Sequence, residues 1–420
     1  MKRLLIQSCI FLVSCFSCLT GFAQDQGSNW THVTDLPVIR AGFSVNHIDG
    51  KLYVIGGEQY NPDGAIADVD IYDIEADEWT KGTPMPTARF LVPKLTIGNM
   101  IYAIGGNKNH FEAGQKVEVY DVTSDEWTSA ADMPTSRNYC AGCVLDGKIY
   151  VMGGWSLDMI SGEDIYGLNT MERYDPATDT WDTCAPMPTG RFALTACALD
   201  GKIYVIGGSK PISEGALGYA TVEVYDPETD QWTTISSMNH PRFELTSTVI
   251  DGKIWAMYGF PDGNPPPVHS HFEVYDPLTD TWTLHDVSED LHPQGFAPIH
   301  AIYADTLYIF GGYGGSGNNY LNAEVYLYDT TTADPGTSVG ESVIQDMRIF
   351  PNPASERLTI QTNLTGPFDV EFTTLNGQLI HFERMEGTSQ QIDLSSFQKG
   401  IYFITIRSKD FVTTRKIIKL

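Results

Sequence analysis

The chain has 420 residues, 42% of them hydrophobic and 19% charged, with 39 Gly, 23 Pro and a formal net charge of −27. This composition excludes a disordered or collagen-like chain, and the length suits two or three domains or one long all-β unit. Along the sequence the charge is uneven: residues 24–344 carry 15 Lys and Arg against 45 Asp and Glu, whereas residues 345–420 carry 9 against 8. So acidic a middle block repels phosphate backbones and anionic membrane, which excludes nucleic acid as a partner.

Residues 1–23 read as a secretory signal peptide: Lys2-Arg3, an apolar stretch from Leu4 to Leu19, and Gly21-Phe22-Ala23 as the cleavage site. The stretch is too short and too weakly apolar for a membrane span. A lipoprotein signal ending at Cys15 is the rival reading. After cleavage at Ala23 four cysteines remain, Cys140, Cys143, Cys184 and Cys197. Cys140-x-x-Cys143 has the spacing of half a metal site, yet no second such pair exists, and residues three apart on a strand face opposite ways. These cysteines are expected to be small buried side chains; no metal and no cofactor is expected.

The middle block is repetitive. Gly56-Gly57, Gly105-Gly106, Gly153-Gly154, Gly207-Gly208 and Gly311-Gly312 recur about every fifty residues, with Tyr258-Gly259 in the fifth place, so there are six units. Each pair follows an apolar run such as Lys51-Leu52-Tyr53-Val54-Ile55. Next comes Tyr-Asp, at Tyr72, Tyr120, Tyr174, Tyr225, Tyr275 and Tyr328, and seven residues after the first five stands a Trp: Trp79, Trp127, Trp181, Trp232 and Trp282. Ten residues after each of the first four Trp stands an Arg, at Arg89, Arg137, Arg191 and Arg242, and sixteen residues on is the next Gly pair. Four short strands per unit, with glycines where a side chain would obstruct close packing, describe a β-propeller blade.

This pattern resembles the kelch-repeat family over about residues 29–329. The resemblance implies an all-β fold, a six-bladed kelch propeller at 24–329. The sixth unit has no Trp after Tyr328, while Trp30 stands ten residues before Arg40, itself sixteen before Gly56. The segment at Trp30 is therefore expected to supply the missing outer strand of the last blade, which removes free sheet edges.

With strands a to d running from axis to rim, the d-to-a connections and the b-to-c loops share one face. The interval holding the b-to-c loop varies most, from 15 to 21 residues between Gly pair and Tyr, and variable loops on a rigid frame commonly bind. Arg40, Arg89, Arg137, Arg191 and Arg242 are candidate ligand-binding residues at the channel mouth, able to grip a carboxylate bidentately; the alternative is that each ties its own blade to a neighbouring carbonyl or carboxylate. Trp155, in the longest interval, is the candidate for stacking on a sugar or partner. In the sixth unit Gly295 stands where the Arg is expected. Six histidines cluster at 240–300, His269-x-His271 among them, and are read as dispersed loop side chains rather than a metal site.

Residues 330–344 read as a linker, and 345–420 as a small immunoglobulin-like sandwich of short alternating strands. The tail resembles the C-terminal sorting domain of the type IX secretion system, on Pro351-Asn352-Pro353, the Gly377 turn, Gly400 and Tyr402 before an alternating strand, and a basic-apolar ending with Lys416 and Lys419. That resemblance implies export by way of the periplasm, the secretion machinery as partner, and release or surface attachment. The expected activity is binding of a protein or glycan ligand. The rival is enzymatic: exported kelch propellers include mutarotases or epimerases of sialic-acid-type sugars, for which Glu244 or a loop His would be the acid-base group.

Overall fold

The computed structural model describes residues 30–60, 63–93, 95–108, 114–157, 164–209, 218–260, 271–286, 299–303, 306–313, 321–329, 348–350, 354, 357–361, 366–374, 379–407 and 412–419. The expected signal peptide with Cys15, the linker, Gly295, His269, Pro351, Asn352, Pro353 and Gly377 lie outside them.

All described elements are strands. The described residues between 30 and 329 include six four-stranded antiparallel sheets, each with its strands in sequence order apart from the last. The first runs Ser44–Ile48, Lys51–Ile55, Val69–Asp73 and Glu78–Gly82. The a-to-b hairpins turn on Asp-Gly pairs: Asp49-Gly50, Asp146-Gly147, Asp200-Gly201 and Asp251-Gly252 all have positive φ at both positions. That is the two-residue turn whose twist matches the flanking strands.

Each sheet stacks on the next through its own apolar cluster, and the sixth packs on the first: Phe43, Val45 and Val54 share a core with Ala301, Tyr308 and Phe310. The ring is closed. Its sixth sheet holds Ile299–Tyr303, Thr306–Tyr313 and Leu321–Asp329, and its outer strand is Trp30–Asp35, paired Trp30↔Tyr328 to Asp35↔Glu324.

The seams between sheets explain the Tyr, Trp and glycines of the repeat. Tyr174 donates its hydroxyl to Asp179, five residues on, and the same Asp179 oxygen accepts the Ala131 N–H of the preceding unit at 2.7 Å. Trp181 Nε1 then donates to the Ala131 carbonyl at 2.9 Å. The same pairing recurs at Tyr120/Asp125/Trp127, Tyr225/Asp230/Trp232 and Tyr275/Asp280/Trp282. At the inner seam, a Cβ on Gly153 would lie 2.7 Å from the Arg191 carbonyl oxygen of the next unit, so only glycine admits that approach.

The four cysteines are free thiols, three of them buried. Cys143 packs into the seam between the third and fourth sheets and Cys197 into the next seam along, equivalent positions in adjacent units.

The tail is a separate β unit. Arg348–Phe350, Arg357–Gln361 and Ser389–Asp393 form one sheet; Leu379–Met385, Phe368–Thr374, Gly400–Arg407 and Val412–Lys419 form a second. Leu358, Ile360 and Ile392 from the first share one core with Phe368, Val370, Phe372 and Ile404 of the second. Tyr402 is buried in that core with its hydroxyl donated to the Gln398 carbonyl at 2.8 Å. Gly400 opens its strand at φ +154°, and Lys416 and Lys419 belong to the last strand.

Candidate functional site

The structure removes the arginines from the ligand set. Arg40, Arg89, Arg137, Arg191 and Arg242 are all at most 1% exposed and rank among the largest fully buried side chains. Each meets a carboxylate on strand c of its own sheet: Arg40 with Asp70, Arg89 with Glu118, Arg137 with Glu172, Arg191 with Glu223, Arg242 with Glu273. Each also donates Nη1 to the carbonyl sixteen residues ahead, as Arg89 does to Gly105 at 2.8 Å and Arg191 to Gly207 at 2.9 Å. Meanwhile the backbone carbonyl of Arg191 accepts the Gly154 N–H of the preceding unit at 2.9 Å, and Arg242 accepts that of Gly208 at 2.8 Å. The constant spacing of sixteen is therefore a joint: side chain to its own blade, main chain to the neighbour. Burial pulls the guanidiniums of Arg40, Arg89, Arg191 and Arg242 below their usual pKa, Arg40 to about 10.

The acid of each pair stands two residues before the Tyr, at Asp70, Glu118, Glu172, Glu223 and Glu273. In the sixth unit that position is Tyr326, and the Arg position is Gly295. Both members of the pair are lost together, so no charge is left alone in the core.

Trp155 is also not an open platform. Its side chain is 7% exposed, and its backbone pairs with Asn138 at the head of the Trp155–Leu157 strand. The same bridge joins Ala41 to Glu58, Phe90 to Asn107, Phe192 to Ser209 and Phe243 to Phe260. These bridges stitch the start of each b-to-c loop to the residue after each Arg, which puts both on one face of the ring.

What does open onto that face is the axis. A pocket of about 190 Å³ is lined by residues two to four places after the Arg position in every unit, among them Phe43, Leu91, Tyr139, Leu194, Glu244 and Ile299. The residues two places after the Arg have left-handed backbone in five units: Gly42 (φ 62°), Leu91 (57°), Tyr139 (48°), Ala193 (53°) and Glu244 (52°). Three of them carry main-chain hydrogen bonds from unit to unit beside the channel. Leu91 N–H donates to Gly42 O at 2.6 Å, Ala193 to Tyr139 at 2.9 Å and Glu244 to Ala193 at 2.8 Å, each from one unit to the one before. The left-handed conformation costs about 1–2 kcal/mol for a residue with a Cβ.

Two polar groups face each other in this apolar-walled pocket. Burial, helped by the nearby Glu58 carboxylate, pushes Glu244 up to about 7. Burial likewise raises the Tyr139 phenol, with Glu244 and Glu58 adding to the effect. A carboxyl half-protonated at neutral pH can give or take a proton. Below it the inner strands are linked by side chains, Thr195 to Ser247 at 2.9 Å and Thr246 to His300. Among the described residues no group of three His, Cys, Asp or Glu side chains is placed to hold a metal.

Sequence reasoning reached Glu244 only as an alternative and missed Tyr139. The one available signal is internal. Where the Arg, Gly pair, Tyr and Trp repeat from unit to unit, the position two after the Arg reads Gly, Leu, Tyr, Ala, Glu.

Comparison with known proteins agrees with this architecture. The family model described as the KLHDC2/KLHL20/DRC7 Kelch-repeats domain matches residues 95–312, the Kelch motif matches 39–86, and the secretion system C-terminal sorting domain matches 348–420. Human Kelch-like protein 23 is 28% identical over 231 residues, 55% of this chain and 31% of that protein. Kelch-like protein 26 of Danio rerio is 31% identical over 233 residues, 56% and 29% respectively. The chain thus spans about a third of the length of these curated relatives. The solved structure of YjhT superposes with a TM-score of 0.57 at 16% identity, covering 70% of this chain and 96% of that one, a likeness of fold. The chain belongs to the kelch-repeat family, as a kelch propeller followed by a type IX sorting domain that supports its export and implies contact with the secretion machinery.

Proposed function

We propose that this protein is a secreted or surface-attached six-bladed kelch propeller that binds a ligand, a glycan end or a protein side chain, in the axial pocket on the face of the b-to-c loops. In this reading residues 1–23 direct export to the periplasm, 24–329 form the propeller, 330–344 are the linker, and 345–420 are an immunoglobulin-like sorting domain that ends in release or surface attachment.

One observation carries the binding site. The frame repeats the same side chains around the ring, while on the wall of the axial pocket the position two after the Arg carries a different residue in each of five units. Among the described residues, the left-handed non-glycine positions other than the turn aspartates and Tyr258 are Leu91, Tyr139, Ala193 and Glu244, all on that wall, and backbone of this kind occurs at ligand clamps. A concave, mostly apolar pocket with a few convergent polar groups is the usual form of a small-ligand site.

The test is a glycan-array screen of the secreted full chain, repeated with Tyr139→Ala and with Glu244→Gln. Binding lost in both variants supports the pocket. Binding that survives both moves the site elsewhere on the face, and a blank array turns the search to a protein partner by surface pull-down.

A second reading rests on Glu244 alone. Interconverting sugar anomers requires a proton to leave the anomeric hydroxyl and another to reach the ring oxygen, and a carboxyl near pKa 7 beside a phenol suits that exchange. Mutarotation followed by NMR, lost in Glu244→Gln, would support a mutarotase or epimerase.

A further inference from the structure

The two edges of the larger tail sheet are unlike. At one, Val412–Lys419 carries Arg415, Lys416 and Lys419 and is met by Ala354 through a parallel bridge at Lys419, the kind of charge and cover that keeps a free edge from pairing. At the other, Leu379–Met385 has Phe368–Thr374 as its one neighbour among the described strands, and it exposes Leu379 (53%), Ile380 (41%) and Phe382 (54%). These are three of the six large hydrophobics exposed among the described residues. A bulge gathers them. Phe372 pairs with His381 and Thr373 with Leu379, so Ile380 is the extra residue. Leu379, opposite Thr373, and Phe382, opposite Glu371, thereby share the outer face, while Phe368, Val370 and Phe372 point into the core.

We infer that Leu379–Met385 is the docking edge for the same strand of a second copy of this chain, joined antiparallel about a two-fold axis at Phe382. The sequence around that residue is complementary to itself when reversed. With Phe382 opposite Phe382, His381 falls opposite the Glu383 of the second copy, and Glu383 opposite its His381. His381 and Glu383 lie on one face of the strand, Nε2 and Oε2 3.4 Å apart, so the two crossed pairs stand side by side. On the outer face Ile380 meets the aliphatic stem of Arg384, whose head lies 3.6 Å from Asp369 of its own sheet. A parallel pairing in register would instead set His381 on His381, Glu383 on Glu383 and Arg384 on Arg384. A strand of another protein would have to match this pattern by its own sequence; a second copy carries it already. Pairing removes the exposed rings and aliphatic groups from water and gives the edge N–H and C=O groups partners. A seam of one strand pair is at the low end of interface sizes, so the dissociation constant should be roughly 1–100 µM.

Sedimentation of the full chain over that concentration range should show a monomer–dimer equilibrium. Phe382→Lys, at an exposed position, should weaken the dimer at least tenfold. Glu383→Lys should weaken it several-fold, and His381→Glu added to Glu383→Lys should restore it to the parent's strength or better, because each crossed pair is again of opposite charge. A residue on the two-fold axis faces its own copy with Cα atoms about 4.5–5.5 Å apart, within disulfide reach. Phe382→Cys should therefore link two chains under mild oxidation. Glu371→Cys, one strand further in and roughly 14 Å from its copy, should not, nor should the parent. A chain that stays monomeric throughout leaves the edge to some other partner and overturns the inference. So does a dimer indifferent to Phe382→Lys, or one in which Phe382→Cys links no better than Glu371→Cys.

Discussion

Two residues separate Arg137 from Tyr139, yet they belong to different regimes. Arg137 repeats in five units, is buried, and has every function directed inward; Tyr139 has no counterpart of its kind in any other unit and faces the channel. Within a repeat protein, constancy from unit to unit marks the joints, because every seam has the same geometry to satisfy. Variation at a fixed position marks a place where the units contribute separately to something shared.

The sharpest way to break this contrast is to exchange the expected consequences. Arg137→Ala leaves the Glu172 carboxylate buried without its partner and is expected to destabilise the protein by about 3–5 kcal/mol, read by chemical denaturation. A loss under 1 kcal/mol would show that the pair is not a joint. Gly153→Ala places a Cβ 2.7 Å from the Arg191 carbonyl oxygen at φ +66°, for an expected loss of about 2–3 kcal/mol in the same assay. Tyr139→Ala, by contrast, should lower ligand affinity at least tenfold with a far smaller effect on folding than Arg137→Ala.

Glu244 sharpens the comparison through pH. Its carboxyl holds a proton up to about pH 7 when folded and loses it near 4.5 when unfolded, so the folded state binds more protons between those values. Stability from this group is therefore greatest below pH 4.5 and is lost as pH rises to 7. Relative to the parent, Glu244→Gln should gain roughly 1–2 kcal/mol between pH 5 and pH 8, the partial exposure of the group keeping the value modest. An unchanged difference would mean that Glu244 titrates normally. The smallest effect is expected of Ala193→Gly, which relieves left-handed strain beside the channel and should stabilise by about 0.5 kcal/mol.

The frame was legible because its chemistry is written in spacing. Sixteen residues from Arg to Gly is the length of a bonded path, seven from Tyr to Trp is the register that sets the two opposite each other in a hairpin, and the isolated Trp30 announces the strand that completes the last sheet. The arginines are legible as a set, and of the two readings, channel-mouth ligands or ties to a carbonyl or carboxylate, the structure has the second; the partner acids stand two residues before each Tyr. Their joint replacement by Gly295 and Tyr326 carried the answer. Tyr139 and Glu244 are harder to find: nothing in a Leu, Tyr or Glu announces left-handed backbone, and the hydrogen bond that Leu91 or Glu244 makes there reaches a unit about fifty residues away.

The closing strand has a mechanical consequence. Because Trp30 sits opposite Tyr328 and Asp35 opposite Glu324, the chain joins and leaves the ring at the same end of one antiparallel pair. Tension between the leading segment and the tail would load that pair end-on, opening its hydrogen bonds one after another like a zipper instead of straining them together. The ring is thus held by many contacts against heat but by one bond at a time against a pull on its two ends, and a pull that opened it would bare two sheet edges at once.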